Sequence, residues 1–119
     1  MADTVPPLSV SEEKGIRVIE FTNNKILDEG NITAIQDTLG AIIDENENPR
    51  LLLDFATVDH LSSAALGMLI NVNNKIKEKN GQLRLCKIRP QIMEVFIITK
   101  LNRLFKICDK REEAVKSFE

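Results

Sequence analysis

Two adjacent serines, Ser62 and Ser63, carry the hydroxyl groups with the most distinctive surroundings in this sequence. They lie in the segment VDHLSSAALGMLI, between an apolar run and a stretch with helical spacing, so we predict that they mark a helix start. Unpaired N–H groups and the helix dipole favour an anion there by roughly 0.3–1 kcal/mol, and a phosphate on a serine would be accommodated. Serine is also a common N-cap, so we expect one of the two to cap the helix.

The neighbouring Asp59 and His60 supply, with Ser63, the residue types of a hydrolase triad. Residues this close in one loop cannot set nucleophile, base and orienting group in line, and the G-x-S-x-G elbow is absent. Cys86 and Cys108 lie far apart and only one histidine is present, too few ligands for a zinc site; we interpret both cysteines as buried, reduced thiols. No glycine-rich phosphate loop occurs. We therefore predict a protein that is not an enzyme, with no catalytic residue, metal or cofactor.

The elements that must position the serines follow from the apolar spacing. LSVSEEKGIRVIEF predicts a β-hairpin that turns at residues 12–15, with Gly15 available for a positive φ. A helix is predicted from Asn31, its N-cap. The unbroken apolar run of residues 50–55 predicts a strand covered on both faces, and the serine-led helix should run from Ser63 to Asn80, ended by a left-handed cap at Asn80 and Gly81.

Two further strand and helix units complete the chain. QLRLCKI, residues 82–88, predicts a strand, and Pro90 opens a helix at its first position. Residues 104–108 predict a last strand, and Asp109 with Glu112 resembles a capping box for a last helix. The order ββαβαβαβα predicts an α/β fold, a mixed sheet opened by a hairpin and packed with helices, whose functional residues lie at the carboxyl ends of the strands.

Length and composition favour a single domain, and the N-terminal sequence favours a location in the cytoplasm. The 119 residues, 43% of them apolar, suffice for one core, and we expect a disordered lead over residues 1–7 and a single domain over 8–119. The N-terminus lacks the pattern of a signal peptide, and no apolar run is long enough to insert into a membrane. Net charge is −2, which argues against direct nucleic-acid binding. Through residue 60 the chain has 12 acidic and 4 basic residues, net −8, whereas the remainder has 6 and 12, net +6.

The segment VDHLSSAALGMLI resembles the signature of STAS domains, the family of anti-sigma factor antagonists. ILDEGNI resembles the first loop and helix entry of that family, and GQLRLCKIRPQIMEVFIITKLNRLFKI its last two strand and helix units. Three features depart from the family pattern: Ala65 stands where glycine is usual, Ser62 where aspartate is common, and FTNNKILDEG replaces a glycine-led loop. The resemblance implies a STAS fold, with Ser63, or less readily Ser62, as the phosphorylated residue. It also implies a partner-binding surface made of Asp28, Asp59, His60, Ser62, Ser63 and Ala64.

The function implied by this resemblance is a partner switch. The unphosphorylated domain would bind an anti-sigma factor with serine kinase activity, phosphorylation of Ser63 would release it, and a phosphatase would reset it. The domain itself would be a monomer or a weak homodimer. One alternative is a constitutive docking subunit of a stressosome or a lipid-transport complex. A more remote one is a receiver domain phosphorylated on Asp54, which would need an acidic pair after the first strand, whereas Thr22, Asn23 and Asn24 stand there.

Overall fold

The computed structural model describes residues 8–22, 25–26 and 29–118 of the chain, and the predicted disordered lead over residues 1–7 lies outside them. The chain opens with the antiparallel hairpin of β1 (Leu8–Glu13) and β2 (Ile16–Phe21), in which Leu8 pairs with Phe21. Gly15 in the turn has φ +80°, as predicted. A two-residue strand, β3 (Lys25–Ile26), follows, and then helix α1 (Glu29–Glu45).

The rest of the described chain forms three strand and helix units, with a further two-residue strand in the first unit and a 3-10 turn after the second helix. In chain order they are β4 (Arg50–Asp54), the two-residue strand β5 (His60–Leu61), α2 (Ser63–Glu78), β6 (Gln82–Cys86), α3 (Pro90–Ile98), a 3-10 turn (Leu101–Arg103), β7 (Lys106–Cys108) and α4 (Arg111–Lys116). The main sheet has the order β1-β2-β4-β6-β7, with β2, β4, β6 and β7 mutually parallel. The predicted mixed α/β sheet opened by a hairpin is therefore confirmed.

Both faces of the central strands are buried, which explains the unbroken apolar run in β4. Leu51 and Leu53 join the larger core beneath α1, α2 and α3, whereas Leu52 faces the smaller core beneath α4. Successive side chains of a strand point to opposite faces, so a strand covered twice must be apolar throughout. In the larger core, the rings of Phe21, Phe55, Phe96 and Phe105 form a chain with centroids 5.2–6.5 Å apart.

Helix α4 is fixed to its face of the sheet by two arginines. Arg84 donates from Nε to the Ser117 hydroxyl at 2.9 Å and stacks over the Phe118 ring at 4.9 Å. Burial lowers the pKa of this guanidinium from its usual value. Arg111 reaches back to the opening hairpin and pairs with Glu20 at 2.9 Å and with Glu13 at 3.6 Å. These contacts join the last helix to the first two strands.

Several predicted boundaries are wrong. Asn31 lies inside α1, which begins two residues earlier at Glu29. The strand of residues 82–88 ends two residues early because Lys87 turns left-handed at φ 56°. Residues 104 and 105 belong to a turn, so β7 begins at Lys106.

The predicted cap at Asp109 is also wrong. Lys110 is the N-cap residue of α4, and no side chain caps this helix by a hydrogen bond. Glu112 and Glu113 instead place two acidic residues in its first turn, where they complement the helix dipole.

Candidate functional site

Ser62 and Ser63 lie at the carboxyl edge of the sheet, and they have different roles in the start of α2. Ser62 is the N-cap, with extended φ/ψ of −88° and 166°, and its hydroxyl accepts from the Ala65 N–H at 3.1 Å. Its carbonyl accepts from the Leu66 N–H at 3.2 Å. The prediction that one of the two serines caps the helix is confirmed, and the capping serine is Ser62.

Ser63 is the first residue of α2 and is exposed, as is Ala64 after it. The N–H groups at these first two helical positions have no carbonyl one turn earlier within the helix to bond to. Ser63 therefore presents its hydroxyl to solvent beside two N–H groups at the positive end of a sixteen-residue helix. A serine in this setting can be modified without breaking the hydrogen bond that caps the helix.

The loop before the serines is ordered by Asp54, the last residue of β4. Asp54 is 4% exposed, and its Oδ1 accepts from the Ala56 N–H at 2.9 Å. Lys87 approaches its other oxygen at 3.9 Å. The Arg89 Nε donates to the Ala56 carbonyl at 3.0 Å, which ties the loop to the start of α3. Asp54 is thus a buried structural residue of this loop.

Asp59 and His60 form a pair at the rim of the same loop. The His60 Nδ1 lies 2.7 Å from the Asp59 Oδ1, with side chains 57% and 25% exposed. His60 and Leu61 form β5, which pairs in parallel with Lys25 and Ile26 of β3. The structure therefore brings Asp59, His60, Ser62, Ser63 and Ala64 into one loop and helix start, while Asp28 lies outside the described residues.

Sequence reasoning missed the small sheet of β3 and β5 and the two basic residues Lys87 and Arg89. Two-residue strands are too short to give an alternating pattern, so no sequence signal could have revealed them. The cations could have been suspected from their place directly after β6, because neighbouring parallel strands end at the same edge of a sheet.

The cysteines occupy neighbouring strands and do not form a disulfide. Cys86 and Cys108 are register partners of β6 and β7, and Cys86 is fully buried. Burial, with Asp54 adding to it, raises the pKa of the Cys86 thiol to about 12, so the thiol is protonated at neutral pH and is a poor nucleophile. Among the described residues, no group of three or more His, Cys, Asp or Glu side chains could hold a metal ion. No helix in the same part of the chain is long and apolar enough to span a membrane.

The fold and the site define a small α/β domain with an exposed serine at a helix start on the carboxyl edge of a mixed sheet. Residues 8–114 match the STAS domain family, and the chain belongs to that family. It is 30% identical over 94 residues to a putative anti-sigma factor antagonist, BtrV of Bordetella bronchiseptica, covering 79% of this chain and 80% of the relative.

Solved structures share the fold. An anti-sigma factor antagonist STAS domain protein from Planctomyces limnophilus superposes with a TM-score of 0.83 at 23% identity, covering 94% of this chain and 97% of that one. The Bacillus protein SpoIIAA in its phosphorylated form superposes with a TM-score of 0.70 at 16% identity, covering 94% and 99%. The fold excludes the receiver alternative. A receiver domain has a doubly wound parallel sheet, whereas here β1 pairs antiparallel with β2 at one side of the sheet.

Proposed function

We propose that this protein is an anti-sigma factor antagonist that binds an anti-sigma factor when Ser63 is unphosphorylated and releases it when Ser63 carries a phosphate. The relationship to a putative anti-sigma factor antagonist supports the class of partner. The observation that carries the proposal is that the two serines have different roles at the start of α2. Ser62 caps α2 through Ala65, which leaves the exposed Ser63 hydroxyl available to a kinase.

Phosphorylation at this position changes charge without requiring the fold to change. The phosphate adds up to about two negative charges, and the positive end of α2 stabilises an anion by roughly 0.3–1 kcal/mol. The loop before the helix is held by contacts of Asp54 and Arg89 with Ala56, and these contacts do not involve Ser63. The switch would therefore act through the surface that the partner meets.

The sign of the switch follows from electrostatics. Asp59 places one carboxylate on this rim, beside His60, and a phosphate on Ser63 would add up to about two negative charges. Two charges facing one partner carboxylate at about 6 Å repel by roughly 5 kcal/mol at an effective dielectric constant of 20, before salt screening. A fifth of that, about 1 kcal/mol, already lowers affinity about fivefold. The desolvation of a phosphate in an interface would weaken binding further.

The proposal also covers the enzymes that act on Ser63 and the surface that the partner contacts. The anti-sigma factor would itself be the serine kinase, and a separate phosphatase would restore the binding form. The partner would contact Asp59, His60, Ser62, Ser63 and Ala64, with Asp28 as a further contact. The domain would act in the cytoplasm as a monomer or weak homodimer, without catalysis of its own.

The test combines mass spectrometry with binding. Protein isolated from its own cells, with and without phosphatase treatment, should carry a phosphate on the Ser63 peptide. The anti-sigma factor that copurifies with Ser63→Ala should bind this variant constitutively and bind Ser63→Asp at least about fivefold more weakly. Ser62→Ala is the matched control, because it removes the neighbouring hydroxyl and should leave Ser63 a substrate.

Three results would contradict the proposal in different ways. A phosphate on Ser62 would move the switch by one residue. Equal partner affinity for Ser63→Ala and Ser63→Asp would refute a phosphorylation switch. No phosphate under several stresses, together with equal binding, would favour a constitutive docking subunit of a stressosome or a lipid-transport complex.

A further inference from the structure

The end of α3 and the turn that follows it expose large apolar side chains that the core does not use. Ile97 is 54% exposed, Ile98 is 80% exposed and Leu104 is 36% exposed. Helix α3 buries Ile92 and Phe96, so its final turn extends beyond what the sheet can cover. Apolar side chains exposed together on one segment are a feature of interaction sites.

The chain folds back on itself between these apolar residues. Lys100 has φ 63° and reverses the direction of the chain, and its N–H donates to the Ile97 carbonyl at 3.0 Å. The Leu104 N–H donates to the Leu101 carbonyl at 3.0 Å. The 3-10 turn contacts α3, so Ile97, Ile98 and Leu104 flank one compact turn. We call these three residues, with the cations described next, the α3 end surface.

This surface is basic. Lys100, Arg103 and Lys106 are exposed and form no ion pair with any residue of the described parts of the chain. From residue 95 to residue 108 these are the three charged residues, and the sequence has no Asp or Glu there. Unpaired cations around an apolar centre favour an acidic partner, because opposite potentials steer encounter and set specificity.

The α3 end surface lies at the amino ends of the parallel strands, and Ser63 lies at their carboxyl ends. Ser63 follows the carboxyl end of β4, whereas the segment after α3 leads into β7, whose first residue, Lys106, pairs with Arg84 of the parallel strand β6. A helix that connects two parallel strands must return the chain to the amino edge. A partner at one surface therefore need not touch the other.

We propose that the α3 end surface docks a partner protein through a segment that combines acidic with large apolar side chains, whatever the phosphorylation state of Ser63. A second copy fits less well, because a two-fold contact would place each set of cations against itself. A membrane surface fits less well, because the patch is small and the chain carries a net charge of −2. This proposal does not depend on the proposed switch.

The experiment uses the full chain as bait for a phage-displayed library of random peptides. Selected peptides should be enriched in Asp and Glu together with Leu, Ile, Phe or Trp, and synthetic copies should bind more weakly as salt rises. Ile98→Ser should weaken their binding at least about fivefold, and Lys100→Glu with Arg103→Glu about tenfold or more. All three side chains are exposed, so a thermal melt should show these variants folded.

Matched controls separate this surface from the rest of the molecule. Val10→Ser alters an apolar residue that is 40% exposed on β1, and Lys77→Glu with Lys110→Glu makes the same charge change elsewhere. Both should bind the peptides as the unmodified chain does, and so should Ser63→Asp. Peptides without acidic enrichment would overturn the proposal. So would binding by Ile98→Ser and by Lys100→Glu with Arg103→Glu that is as tight as binding by the unmodified chain. Binding of phosphatidylglycerol vesicles, or self-association lost in Ile98→Ser, in place of peptide binding would overturn it as well.

Discussion

The two ends of helix α2 are built differently. At its start, the Ser62 hydroxyl caps the helix by accepting from the Ala65 N–H, and the next two residues are exposed. At its end, the Gly81 N–H bonds to the Ile76 carbonyl at 2.9 Å, and Asn80 adopts the left-handed conformation at φ 58°. The Gln82 N–H donates to the Pro49 carbonyl at 2.8 Å, which leads directly into β6.

The two ends of α2 therefore contribute differently. The packed end stabilises the fold, whereas the exposed start carries the surface proposed to bind a partner. The end of α2 also supports its neighbour, because the Lys79 ammonium donates to the last carbonyls of α1, those of Ile43 and Asp44, at 3.1 Å each. Changes there should lower the free energy of unfolding without altering the serine surface. At the start, a change at the exposed Ser63 should alter that surface with little effect on folding, whereas a change at the capping Ser62 should also cost some stability.

The largest effect is expected at Gly81. A Cβ at this position would lie 2.3 Å from the Pro49 carbonyl oxygen, so backbone must move. We expect Gly81→Ala to lower the free energy of unfolding by about 1–3 kcal/mol in urea titration, as overpacking does. Gly67→Ala is the matched control within α2, because a Cβ there meets nothing within 4 Å. It should stabilise by about 0.5–1 kcal/mol; equal losses in both variants would break the comparison.

Lys79→Met comes next in size. It keeps the aliphatic stem of the side chain and removes both hydrogen bonds to the end of α1, so the free energy of unfolding should fall by about 1–2 kcal/mol. Lys77→Met is the control, because Lys77 is exposed and makes no ion pair with the described residues. If the two variants have the same denaturation midpoint, the support of α1 by α2 does not contribute to stability.

Ser62→Ala should cost about 1 kcal/mol, the usual cost of losing a serine N-cap. Chemical denaturation measures the loss, and Ser62→Asp should recover most of it because aspartate accepts the same hydrogen bond. A loss in Ser63→Ala as large as that in Ser62→Ala would mean that the two serines share the cap, against the geometry at Ala65.

The smallest effect has the opposite sign. Ser63→Asp places a negative charge at the first position of α2 and should raise the free energy of unfolding by roughly 0.3–1 kcal/mol, because the helix dipole favours it. The gain should shrink in high salt. Destabilisation of more than about 1 kcal/mol would mean that a phosphate at Ser63 disturbs the fold rather than the surface alone.

The order of the elements and the place of the serines could be predicted because both depend on local patterns. The doubly covered strand β4 shows an unbroken apolar run, and Asn80 with Gly81 marks the end of α2. The amino-acid sequence alone could not show which glycine lies close to another segment of backbone, because the approach of Gly81 to Pro49 depends on how distant segments pack. Asn73 lies on the buried face of α2, where it is 5% exposed. Apolar spacing also could not show that the Nδ2 of Asn73 lacks a hydrogen-bond partner among the described residues.

The anchoring of α4 bears on how the protein is made. The face of the sheet that contains Ile16, Val18 and Leu52 is covered by Ala114, Val115 and Phe118, which emerge from the ribosome long after the hairpin. During synthesis this face stays open to water or to chaperones while the other face can already pack. This face can therefore be covered only once Phe118 has left the exit tunnel.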